Sequence, residues 1–264
     1  MNRLSLNQWT TRRWSVGEAV DGCVRHGIPA IGLWREHVAA HGLSETAALV
    51  RSAGLRVSSL CRGGFFTGPD WRSENRRAID EAAVLGAACL VLVPGGLPAG
   101  SKDLLGARAQ VSDALAELAP YATSCGVRLA LEPLHPMYCG DRSVVSTLKQ
   151  ALDIAPPDVG VVVDSFHVWW DPEAADQIAR AGSRIAAFQV CDFLLPLPSD
   201  LLLGRAMMGD GVIDFPPLYA AVSAAGYTGD IEVEIFNADV WAADPDEVLA
   251  TMKKRYAELV LPPG

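Results

Sequence analysis

The chain has 264 residues, of which 50% are hydrophobic and 20% charged, and its formal net charge is −9. A chain of this length buries a sizeable core without staples, and an acidic surface gains nothing from a phosphate backbone, so nucleic acid is not an expected partner. The six cysteines (Cys23, Cys61, Cys89, Cys125, Cys139, Cys191) form no C-x-x-C pair, which argues against a zinc ribbon or a redox motif. Met1 to Trp9 lacks the apolar core of a signal peptide, and the longest apolar run, Ala82 to Pro94, is too short to span a bilayer. The expectation is a cytoplasmic protein with reduced thiols and no membrane partner.

Taken in order, the chain alternates short apolar runs with amphipathic stretches. Leu4–Trp9 reads as a first strand. Ser15 to His26 follows as a helix, with Ser15 at the N-cap and Glu18 completing a capping box. Strands are expected next at Ala30–Trp34, Arg56–Arg62 and Cys89–Pro94, then a long helix from Ser101 to Cys125. Val127–Glu132 and Val159–Asp164 are near-continuous apolar runs of the kind that suit parallel strands covered by helices. Asp171-Pro172 reads as a helix start, Ile185–Val190 as a strand, and Asp192 to Ile213 as an irregular connection long enough to be a functional lid. Ile231–Phe236 and a helix from Pro245 to Leu261 complete the chain.

Strict alternation without a linker predicts one domain over residues 1–264, and eight units favour closure into a single (β/α)8 TIM barrel of the α/β class over an open doubly wound sheet. Gly63-Gly64 and Gly95-Gly96 follow strands but match no dinucleotide or phosphate loop, so they read as tight turns.

In such a barrel, polar residues at the C-terminal strand ends converge on one mouth. Those ends carry Glu132, Asp164, Gln189 and Glu234. Three carboxylates and an amide oxygen make a hard, oxygen-rich set suited to Mn²⁺ or Mg²⁺. Each has a plainer reading: Asp164 as the cap of the next helix, Glu132 as a solvated loop residue, Gln189 as a partner of backbone groups. Glu232 rivals Glu234, because the two share a face by strand periodicity. Asn7, Trp9, Trp34, Arg35, Cys61 and Arg62 lie at other strand ends. Trp9 and Trp34 suit apolar walls. Arg35 and Arg62 suit a substrate carboxylate or phosphate, or else a rim closed by salt bridges to Glu36 or Asp70. His135 and His167 are candidate substrate contacts, and Trp169-Trp170 either walls the pocket or packs beneath a helix.

The segments Leu129-Ala-Leu-Glu-Pro, Val163-Asp-Ser-Phe-His, Phe188-Gln-Val-Cys-Asp and Gly226-Tyr-Thr-Gly-Asp-Ile-Glu-Val-Glu resemble the xylose isomerase-like TIM-barrel superfamily. Within it, the resemblance is to the sugar phosphate isomerase/epimerase group, which includes ketose 3-epimerases, hydroxypyruvate isomerase and inosose dehydratase. It implies metal ligands at Glu132, Asp164, Gln189 and Glu234, with Glu234 chosen over Glu232, and an acid/base pair of Glu132 and Glu234. It further implies His167 beside the substrate and Arg205, in Gly204-Arg-Ala-Met-Met-Gly-Asp-Gly211, on substrate oxygens or phosphate. Many members carry His where this chain has Gln189; the amide favours Mn²⁺, with Mg²⁺ or Co²⁺ as substitutes, over zinc. The implied activity is isomerisation or epimerisation of a small keto sugar, polyol or derivative through a metal-stabilised enediolate. The alternative is a lyase, dehydratase or 3-keto-glycoside-cleaving enzyme sharing the same enolisation. Relatives of this kind form homodimers or homotetramers, and the endonuclease branch is disfavoured because its additional histidines are missing.

Overall fold

The computed structural model describes residues 3–261, so Met1, Asn2 and the last three residues of the expected 1–264 domain lie outside the described residues. The barrel strands are β1 (Leu4–Asn7), β2 (Ala30–Trp34), β3 (Arg56–Gly64), β4 (Leu90–Val93), β5 (Leu129–Leu131), β6 (Gly160–Asp164), β7 (Ile185–Val190) and β10 (Ile231–Val233). All neighbours pair in parallel, and β10 closes on β1 to give a complete ring. The remaining two strands, β8 (Asp192–Phe193) and β9 (Arg205–Ala206), pair antiparallel within the loop after β7. No helix among the described residues is long and apolar enough to cross a membrane.

Side-chain alternation explains how the ring is filled. Leu90, Leu92, Leu129, Leu131, Val161, Val163, Phe188 and Val190 pack with helix residues such as Val20, Ile79 and Leu115 in the main core. The intervening Cys89, Val91, Ala130, Val162 and Ala187 form a separate cluster of smaller side chains inside the ring. With a period of two, the inward series runs Ala130–Glu132, Val162–Asp164 and Ala187–Gln189, and on β10 it reads Glu232–Glu234. The four expected site residues therefore face inward for the same reason that their apolar neighbours face the helices.

Two glycines make close approaches that a side chain would block. A Cβ at Gly32 would lie 2.4 Å from the Glu232 carboxylate, so β2 leaves room for that buried acid. Gly64 has φ +101, and a Cβ there would meet the Val93 carbonyl at 1.9 Å.

Several boundaries differ from expectation. β1 ends at Asn7 because the Asn7 side chain accepts from the Trp9 N–H and starts a 3-10 turn over Gln8–Thr11. β10 ends at Val233, and Asn237 caps the next short helix. The helix expected from Asp171-Pro172 begins at Ala174; Asp171 instead caps the Glu173 N–H within the preceding turn. Ser15 and Glu18 do form the full capping box.

Candidate active site

Glu132, Asp164, Gln189 and Glu234 are all buried at the C-terminal ends of adjacent strands. Asp164 serves in two ways. Its Oδ1 accepts from the Phe166 N–H at 2.8 Å, which is the helix cap, while its Oδ2 accepts from Arg205 Nη1 at 2.8 Å. The helix-cap reading of this residue holds, and its second oxygen is turned to Arg205.

The rival Glu232 has a different setting from Glu234. Its Oε1 accepts from Asn7 Nδ2 at 2.6 Å and Gln189 Nε2 at 2.9 Å. Its Oε2 accepts from the Ser58 and Ser59 hydroxyls at 2.5 and 2.8 Å. Four donors satisfy this acid, with no basic partner needed. Glu234 sits one pleat nearer the mouth, takes 2.9 Å and 3.3 Å contacts from Asn7 Nδ2 and Arg205 Nη2, and lines the cavity.

Arg205 is not a peripheral loop contact. It reaches from β9 into the carboxylates, pairing with Asp164 and Glu234, stacking on the Phe166 ring with its Cζ 4.7 Å from the centroid, and approaching His167 Nε2 at 3.1 Å. The loop after β7 that carries it is stapled by Asp192, which accepts from the N–H groups of Phe193, Gly209 and Ile213. Tyr138 Oη donates to Leu201 O at 2.8 Å and ties the loop after β7 to the loop after β5.

His167 Nδ1 accepts from the His135 backbone N–H at 3.0 Å. A neutral imidazole has one acceptor nitrogen, so this bond assigns the proton to Nε2. Nε2–H then lies 3.8 Å from Glu132 Oε1, beside a guanidinium that is also a donor. The two donors face the buried carboxylates, Nε2–H toward Glu132 and Nη2 toward Glu234 Oε2 at 3.3 Å. His135 contributes through its backbone; its ring accepts from the Met137 N–H and packs against Trp170 and Phe193, and it does not line the cavity.

The cavity has a volume of about 150 Å³. Trp9 and Trp34 form one wall with ring centroids 4.4 Å apart, joined by Phe236 at 5.6 Å from each. Trp34 is held by a 2.8 Å bond from its Nε1 to Asn7 Oδ1. Arg62 lines the cavity, whereas Arg35 is taken up by Glu81 at 2.5 Å instead of the expected Glu36 or Asp70. Trp169 and Trp170 pack away from it, Trp170 donating to His167 O. Tyr138 and Arg142 also line the cavity and were not singled out from the sequence as site residues. They lie in a loop rather than at a strand end, so strand periodicity carries no signal for them.

Burial, reinforced by the charges of Glu234 and Asp164, raises the Glu132 pKa well above the usual carboxylate range. Burial likewise raises Glu234 to about 8, with Arg205 pulling it down and Asp164 and Glu232 pushing it up. Burial, aided by Arg205 and His135, holds His167 well below its ordinary value. Burial opposes the charge of Arg205, but Asp164, Cys191 and Glu234 outweigh it and raise its pKa.

Two sets of side chains bring ligand atoms within 4.8 Å of one another: Glu132, Asp164 and His167, and Cys61, Glu232 and Glu234. Glu132 Oε1 and Gln189 Oε1 are buried with no hydrogen-bond partner. Four buried carboxylates thus meet one directly paired guanidinium, with two oxygens to spare, and this donor set fits a divalent cation.

Comparison with known proteins decides the family: the model described as xylose isomerase-like TIM barrel matches residues 20–255. The chain belongs to that family. Among curated family relatives, the chain is similar to an inosose isomerase of Bacillus licheniformis, at 26% identity over 98% of both chains. It is also similar to a ketose 3-epimerase of Arthrobacter globiformis, at 25% identity over 84% of this chain and 73% of the relative. Among solved structures, a protein from Sinorhizobium meliloti 1021 superposes with a TM-score of 0.93 at 52% identity, covering 97% of this chain and 98% of that one. The IolI protein, solved with a zinc atom bound, shares the fold at a TM-score of 0.83 and 23% identity over 98% of both chains.

Proposed function

We propose that this barrel is a divalent-metal-dependent isomerase or epimerase acting on a small keto sugar, polyol or sugar derivative. The observation that carries the reading is the pair Glu132 and Glu234, two buried carboxylates with raised pKa values on one small cavity. A carboxylate that binds and releases a proton near neutrality is suited to general acid–base work.

In this reading Glu132, Asp164, Gln189 and Glu234 hold the metal. Their hard oxygens favour Mn²⁺, with Mg²⁺ or Co²⁺ as substitutes, and the zinc in the IolI structure is a competitor to be measured. When bound, the cation supplies Lewis-acid polarisation of a substrate carbonyl.

The chain's own groups do the rest. One glutamate removes the proton from the carbon beside the carbonyl, and the C–H electron pair becomes the double bond of an enediolate. The other returns a proton to the opposite face, giving an epimer, or to the former carbonyl carbon while the neighbouring hydroxyl proton passes to the charged oxygen, giving an isomer. His167 Nε2–H and Arg205 Nη2, 3.1 Å apart beside the carboxylates, hold the oxygen on which negative charge develops. Trp9, Trp34 and Phe236 cover an apolar sugar face and exclude water.

Metal-stripped protein reloaded with Mn²⁺ and incubated with three- to six-carbon keto sugars in D₂O tests this. The reading expects deuterium at the carbon next to the carbonyl together with an isomeric product. Release of water or of an aglycone instead of an isomer would move the assignment to a lyase.

A further inference from the structure

Arg62, near the C-terminal end of β3, and Arg142, on the loop that follows β5, both line the cavity. Arg62 stacks over the rings of Phe65 and Trp34, its Cζ 4.4 and 5.9 Å from their centroids, and among the described residues its guanidinium has no hydrogen bond or ion pair. The acid acting on it most strongly is exposed Glu36, which also borders the cavity; the buried Glu132 and Glu234 act on it more weakly. Arg142 stacks over Tyr138, and its buried Nε lies 3.5 Å from the carboxylate of its exposed sequence neighbour Asp141 without a hydrogen bond to it. The two guanidiniums are close enough to repel each other. The backbone beneath Arg142 is fixed, since Gly95 N donates to its carbonyl at 2.9 Å.

Two positive groups on one cavity, neither hydrogen-bonded to a carboxylate among the described residues, form a receptor for an anion. Resting on the isomerase or epimerase reading above, we propose that the substrate carries an anionic group, a carboxylate or a phosphate, gripped by Arg62 and Arg142 while its carbonyl end faces Glu132 and Glu234. A cavity near 150 Å³ is roughly the size that admits one six-membered ring, which limits the rest of the substrate to a few carbons. The substrate class is therefore a small acidic keto sugar rather than a neutral one.

The test reads binding, so it stands apart from whether any turnover is found. Quenching of tryptophan fluorescence, expected from Trp34 beside Arg62, is titrated with threonate, glycerol 3-phosphate and the neutral polyol erythritol, with and without Mn²⁺. At least one anion is expected to bind about 10-fold or more tightly than erythritol, and the tighter of the two identifies carboxylate or phosphate. Arg62→Gln and Arg142→Gln are each expected to weaken that anion by roughly 10–100-fold and to leave erythritol unchanged. Glu36→Gln, which removes the competing charge, is expected to tighten it. If Arg62→Gln does not fold by circular dichroism, the more exposed Arg142→Gln carries the test alone. Erythritol binding as tightly as both anions overturns the proposal, as does an anion preference that survives the arginine substitutions. Failure of the isomerase reading would show instead as anion binding without proton exchange.

Discussion

Gln189 donates to Glu232 Oε1 at 2.9 Å across β7 and β10, where the two residues are register partners. This bond orients the amide: its nitrogen is committed to the deeper acid, and its oxygen is left buried with no partner. Gln189→Leu removes both groups. It is expected to cost about 1–3 kcal/mol of stability, because Glu232 loses a donor, and to weaken Mn²⁺ binding measured by calorimetry. Gln189→His is expected to restore metal binding with a shift in preference toward zinc. Undiminished Mn²⁺ affinity in Gln189→Leu would remove Gln189 from the ligand set.

Glu232 and Glu234 are two residues apart, and their substitutions should separate cleanly. Glu232→Ala strands donors from Asn7, Ser58, Ser59 and Gln189, and thermal unfolding is expected to register a loss of about 3–5 kcal/mol. Glu234→Gln relieves crowding of charge. Its melting temperature is expected to hold or rise while turnover falls roughly 10²–10⁴-fold. The reverse pattern would give the catalytic role to Glu232.

Raised carboxylate pKa values have a definite sign in stability. A group with a folded pKa of about 8 against an ordinary 4.5 holds a proton in the native state that the unfolded chain has released. Native protein then binds more protons across that window, so metal-free stability falls as pH rises from about 4.5 to 8 and levels off above it. Denaturant midpoints between pH 5 and 9 should show this decline, flattened in Glu234→Gln and offset by added Mn²⁺, which competes with the protons. A metal-free protein that gains stability with pH over this range contradicts the assignment.

Arg205 is the guanidinium that directly pairs with the buried carboxylates. Arg205→Ala leaves Asp164 and Glu234 short of a counter-charge, and unfolding should detect a loss of about 3–5 kcal/mol. Arg205→Lys keeps the charge but cannot span Asp164, Glu234 and His167 with one planar fork. It is expected to fold near the parent stability and to lose turnover with little change in substrate affinity. Full activity in Arg205→Lys would reduce Arg205 to a structural ion pair.

Much of this arrangement was legible before the fold was known. Alternation of side chains along apolar runs aims Glu132, Asp164 and Gln189 inward, and eight repeats of the same unit imply the ring that gathers them. Periodicity could not rank Glu232 against Glu234, because both face inward; their difference arises from Ser58, Ser59 and Asn7 on distant strands. Helix starts shifted where a local cap competed, as at Asp171. Loop residues were the least legible. His135 looked like a substrate contact and instead uses its backbone to orient His167, while Arg142 reaches the cavity through a turn that leaves no periodic signature.

The central claim is that Glu132 and Glu234 move a substrate proton. Solvent-deuterium incorporation, followed by proton NMR with Mn²⁺-loaded parent, Glu132→Gln and Glu234→Gln proteins on a substrate that the parent turns over, tests it most directly. Incorporation in the parent that drops at least roughly 10²-fold in each variant, with folded structure and substrate binding retained, is the predicted result. Incorporation at the parent rate in either variant would contradict the account.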